Sequence, residues 1–76
     1  MTENPYFKAV EAITQSEADE WFDYLMYQAR KDNPYRDYDG LAEAVVADLM
    51  FVAGHYGPRT QQLAGQLYIH KSPYRR

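Results

Sequence analysis

Few side chains in this sequence could carry acid–base or metal chemistry. His55, His70 and Asp48 come first, since imidazole and carboxylate together can move a proton or hold a divalent metal. Their spacing argues against it. Seven residues separate Asp48 from His55, which on one helix gives a shared face but about 10.5 Å along the axis. His70, at the far end of an antiparallel partner helix, falls roughly 20 Å from His55 by the same rise. His55 therefore reads as a last-turn residue ahead of the terminating Gly57. Asp48 lies between Leu41 and Val52 on the apolar side of its helix, where a carboxylate needs a partner, either Arg59 or a tyrosine hydroxyl.

Other chemistries fail on spacing or on inventory. Asp37-Tyr38-Asp39-Gly40 has the composition of a calcium loop. With Gly40 as the turn glycine, however, the first ligand position is Tyr35 and the closing glutamate position is Val46. There is no cysteine to act as a nucleophile, and Ser16 and Ser72 read as a helix cap and a pre-proline stop. No glycine-rich phosphate loop follows a strand pattern. The sequence points to a protein that is not an enzyme and has no metal or cofactor.

Charge is split along the chain. Residues up to Asp48 hold all 11 acids against Lys8, Arg30, Lys31 and Arg36, a net of −7; the remaining 28 hold Arg59, Lys71, Arg75 and Arg76 with no acid, a net of +4. Two binding readings follow. In the basic segment, Arg59, Lys71, Tyr74, Arg75 and Arg76 combine cations for phosphates with rings for stacking, the elements of a nucleic-acid site. Only four bases lie there, in an acidic whole, so this is the weaker reading. The same tail could equally dock on the acidic half of its own chain or of a neighbour.

The stronger reading rests on aromatic residues. Eight tyrosines are many for 76 residues, and Tyr24, Tyr27, Tyr35 and Tyr38 fall on or beside a polar helix face and its following loop. Exposed tyrosines supply contact area at low entropic cost and are enriched at protein interfaces. The expected partner-binding set is Glu17, Glu20, Asp23, Tyr24 and Tyr27 on the helix, with Tyr35, Arg36 and Tyr38 in the loop.

The elements that must hold these residues are helical. Asn4-Pro5 opens a first helix over about 5–13, with Tyr6, Ala9, Val10 and Ile13 on one face. Thr14 with Glu17 and Ser16 with Asp19 both fit a capping box, and a second helix runs about 17–31. Its stripe of Ala18, Trp21, Phe22, Leu25, Met26 and Ala29 is apolar. Asn33-Pro34 stops it. A third helix, about 40–56 and capped by Asp39 or Gly40, carries one stripe of Leu41, Val45, Leu49, Val52 and Tyr56 and a second of Val46, Met50 and Ala53. That second stripe packs either inside the chain, if the helix is central, or against a partner. Gly57-Pro58 leads into a fourth helical segment, about 58–71, although Gln66 to His70 also alternates as a strand would.

The fold expected is one all-α domain over 1–76, a compact bundle of three to four short helices with the second and third antiparallel and residues 72–76 as a basic tail. Trp21, Phe22, Leu25, Leu41, Val45, Leu49, Val52 and Leu67 should form its core. Glu3, Lys8 and Glu11 charge the first turns, so no signal peptide is expected; with no membrane span and no disulfide, the expected setting is the cytoplasm. The expected function is that of a small adaptor or inhibitor that binds a protein or protein complex. Motif-free acidic helical proteins of this size are common among phage and mobile-element products that block a host complex, an analogy at the level of class alone. A homodimer or larger homo-oligomer, pairing acidic and basic halves between protomers, is a further possibility.

Overall fold

Asn4 starts the chain's first helix through its side-chain oxygen, which accepts from the Tyr6 amide at 2.9 Å, while Pro5 fills the first helical position. The computed structural model describes residues 4–73. They form α1 (Pro5–Val10), α2 (Gln15–Asp32), α3 (Tyr38–Tyr56) and α4 (Pro58–Tyr68), with a closing 3₁₀ turn at Ile69–Lys71. None of these helices is long and apolar enough to cross a membrane.

The first helix stops three residues earlier than its apolar spacing suggests, because the next cap claims the intervening backbone. Thr14 adopts an extended conformation, its hydroxyl accepts from the Glu17 amide at 3.2 Å, and the Glu17 carboxylate takes the amides of Thr14 and Ile13 in return. Of the two capping boxes that the sequence permits, this is the one that forms, so α2 begins at Gln15 and not at Glu17. Ile13 is thereby carried off the α1 face and stands 71% exposed.

A similar shift occurs at α3. Asp37 is its cap, accepting from the Gly40 amide at 2.9 Å, so the helix starts at Tyr38, ahead of the expected Asp39 or Gly40. Gly57 both ends α3 and begins α4 with φ at 130°, a backbone state that only glycine adopts at low cost, and Pro58 fixes the first turn of α4. Gly65 lies within α4, and the segment that could have alternated as a strand is helical through Lys71.

The core gathers on α3. Leu41, Ala42, Val45, Val46, Leu49 and Ala53 are buried, and α3 touches α1, α2, α4 and the closing turn. Both of its apolar stripes are therefore consumed within the chain: Val46 and Ala53 are fully buried and Met50 packs against the core, so this stripe is not a partner surface. Phe22, Leu25 and Met26 from α2 and Leu67 from α4 complete the centre. Trp21 and Val52, expected inside, are half-buried at its margin, because each lies at the edge of its helix's inward stripe. Asp48 also departs from expectation. It is exposed on the solvent side of α3, where water removes the need for a buried partner.

The last turn is locked to both ends of the bundle. Tyr68, the largest fully buried side chain, donates its hydroxyl to the Ala9 carbonyl of α1 at 2.7 Å. Ser72, the first residue of the segment read as a tail, is completely buried and donates to the Glu43 carboxylate of α3. Burial, followed by the Asp19 and Glu17 carboxylates, pushes the Tyr68 hydroxyl up to about 12.

Two measurements check this packing. Leu49→Ala should cost about 2 to 5 kcal/mol in denaturant unfolding, whereas Phe51→Ala, two positions along on the open side, should leave the midpoint nearly unchanged. Tyr68→Phe should cost about 1 kcal/mol. In the parent protein, a tyrosine held protonated by folding supports stability below its unfolded pKa of about 10, support that disappears as pH climbs toward 12. Spectroscopic titration should show the latest tyrosine ionisation of the parent missing from Tyr68→Phe, whereas the rise that burial gives Tyr6 should remain in both.

Candidate partner-binding face

Helical periodicity sorts the residues of α2. Ala18, Phe22, Leu25 and Met26 turn inward, which leaves Glu17, Glu20, Tyr24, Tyr27 and Lys31 on one outward line at steps of three and four residues. The line is roughly 21 Å long by helical rise. All five residues are exposed, Tyr27 to 60%, and Asp23 is exposed beside them.

The two tyrosine rings are braced where they stand. Tyr24 meets the Trp21 ring edge-on at 6.0 Å and its hydroxyl accepts from the Gln28 amide at 3.0 Å. Lys31 places its ammonium 5.3 Å from the Tyr27 ring centre. Rings held in this way surrender little further rotamer freedom on contact with another surface. Glu17 differs from the rest of the set. Its carboxylate is occupied by the capping box, so it belongs to the helix start more than to the open face.

The loop after α2 is pinned rather than free. Asn33 turns its side-chain amide back to the Ala29 carbonyl at 3.2 Å, and the Arg30 guanidinium donates to the carbonyls of Pro34 and Arg36. This fold-back projects Tyr35 into solvent at 99% exposure and leaves Tyr38 exposed at the first residue of α3. Arg36 lies across Gly40: a Cβ added there would stand 2.9 Å from its Nε and 2.7 Å from Asp37 Oδ1. Glycine thus makes room for the cap and the arginine together. All eight expected residues are exposed, five on α2 and three in or beside its loop, although the Glu17 carboxylate is engaged by the cap.

The basic set divides differently. Lys71 forms an ion pair with Asp19 at 2.8 Å and lies 5.0 Å from the Phe22 ring centre; its side chain is 19% exposed, against 50% for Asp19. Gln15 supports the contact, donating to Asp19 at 2.9 Å and to the Leu67 carbonyl at 3.0 Å. Lys71 is a clamp between the acidic helix and the C-terminal turn, not an open phosphate contact. Arg59 is exposed on α4, beside a shallow 420 Å³ depression lined also by Thr60, Gln62, Leu63 and Gln66, none of them a general acid or base. Tyr74, Arg75 and Arg76 lie outside the described residues.

His55 and His70 are both exposed, and among the described residues no group of three or more His, Cys, Asp or Glu side chains could hold a metal ion. Two exposed aromatic side chains escaped the sequence reading, Phe7 at 49% and Phe51. Phe51 stands 69% exposed on α3 with His55 against it. Its signal was present in the spacing, since Phe51 belongs to neither apolar stripe of that helix.

The Lys71 contact has a pH signature. The Lys71 ammonium, helped by the Gln15 amide, holds the Asp19 carboxyl below its ordinary range. Its contribution to stability is present above the unfolded carboxylate pKa of about 4 and is lost as pH falls through the lower folded value. Lys71→Met should flatten the acid limb of a melting-temperature profile between neutral and strongly acidic pH, and an unchanged limb would rule the clamp out. No protein-family model matches this chain, and no curated protein or solved structure matches it.

Proposed function

We propose that this protein is a non-catalytic interaction module, an adaptor or inhibitor that engages a protein or protein complex through the outer face of α2 and the loop that follows. The observation that carries the reading is the pair of braced, exposed tyrosines, Tyr24 and Tyr27, in line with Glu20 and beside Asp23. Such a face offers flat aromatic area flanked by carboxylates, which suits a partner surface bearing arginine or lysine next to apolar groups. A product of a phage or mobile element that blocks a host complex is the biological setting we favour.

The competing nucleic-acid reading draws no support from Lys71, whose charge is neutralised by Asp19. The test is capture of partners from lysate of the native host on immobilised protein, with and without nuclease. A protein target should survive nuclease, and Tyr24→Ala combined with Tyr27→Ala should weaken its retention by tenfold or more, about 1.4 kcal/mol. Retention that is unaffected by this double change, or that vanishes with nuclease, would overturn the proposal.

A further inference from the structure

The outward line of α2 has an order beyond its exposure. Glu17, Glu20, Tyr24, Tyr27 and Lys31 follow one another at intervals of three, four, three and four residues, the seam along which one helix packs beside another. Its charges are sorted as well. Glu17 is spent on the cap, but Glu20 stands before the tyrosine pair and Lys31 after it, both exposed. On one flank of the seam Asp23 precedes Arg30, also exposed, so acid comes before base there too.

We infer that this face pairs with the same face of a second copy of the chain, the two α2 helices lying antiparallel about a two-fold axis midway between residues 25 and 26. The charge order selects this occupant, because reversing the direction of the helix exchanges acid for base. Glu20 and Lys31 are equally far from the midpoint, so each Glu20 comes opposite the second copy's Lys31. Tyr24 comes opposite the second copy's Tyr27 in the same way, which gathers four rings at the centre. The two-fold brings each flank onto its own counterpart, where Asp23 neighbours the second copy's Arg30. That guanidinium has donors left, since its contacts to the Pro34 and Arg36 carbonyls use Nη1 alone. A parallel pairing would instead set Glu20 against Glu20 and Lys31 against Lys31. Carboxylate, ammonium and guanidinium groups all carry their charges at neutral pH, so the match depends on no titration.

The contact is isologous, as a two-fold interface must be, and spans about four turns of helix. It falls in the size class of transient complexes, so association is weak and depends on concentration. Self-pairing covers Tyr24 and Tyr27 and therefore competes with a protein partner for the same face. The dimer is the closed store of that face and the monomer its binding form. This regulatory consequence rests on the proposed reading of α2, whereas the pairing itself does not.

Sedimentation equilibrium of the full chain from micromolar to millimolar concentration tests it. The average mass should rise toward the dimer as concentration increases. Glu20→Lys alone and Lys31→Glu alone should each weaken self-association roughly tenfold or more, since each sets like charges opposite one another. Mixed in equal amounts, the two variants should associate with each other as the parent does with itself, because every lysine at these positions then faces a glutamate. Both positions are exposed, so circular dichroism melts should stay near the parent's and separate loss of association from loss of fold. A parent chain that stays monomeric at millimolar concentration, a single variant that associates as the parent does, or a mixture that stays monomeric would overturn the inference. Such a failure leaves the proposed function standing if Tyr24 and Tyr27 still retain a protein from lysate; a parent that dimerises as described but retains no protein sinks that function and supports the pairing.

Discussion

Everything in this structure answers to the need to cover α3. A 19-residue helix that is apolar around most of its circumference cannot stand in water, and a 76-residue chain has little material with which to surround it. The solution is to lay α1, α2 and α4 against it and leave one side open. Short elements follow from that economy: α1 is kept to six residues and α4 to 11. Each long-range polar contact fastens one of the covering pieces. Tyr68 joins the C-terminal turn to α1, Ser72 joins it to α3 through Glu43, and Lys71 joins it to α2 through Asp19.

Those fasteners also change the meaning of the charge split along the chain. Taken as a linear pattern, an acidic half and a basic remainder suggest two molecules meeting end to end, or a tail reaching for phosphates. In three dimensions part of the division is settled internally, because Lys71 closes on Asp19. What remains outward on α2 is a line of carboxylates and tyrosines with a lysine at its end. The aromatic rings on that line are held by neighbours within the same helix, so the face is assembled before any partner arrives.

The helices and most of the candidate face were legible from spacing, since a 3.6-residue period sends Phe22 and Leu25 inward and Tyr24 and Tyr27 outward whatever α2 packs against. Helix starts were less legible, because several residues were chemically able to cap. Thr14 and Ser16 competed at α2, and at α3 Asp37 takes the cap ahead of the expected Asp39 or Gly40. Trp21, Val52 and Asp48 were misplaced for a related reason. They lie at or near stripe edges, where period alone cannot tell how far a neighbouring helix reaches across.

The sequence by itself determined the all-helical class, the apolar character of α3, the breaks at Asn33-Pro34 and Gly57-Pro58, and the outward placement of the α2 tyrosines. These are local consequences of side-chain type, backbone restriction and helical period. Only the tertiary structure decided that both apolar stripes of α3 are consumed within the chain, that Lys71 and Ser72 are structural, and that Phe51 stands uncovered. Those outcomes depend on which helices meet and where, over separations of tens of residues, and no local pattern encodes which surface another element will cover.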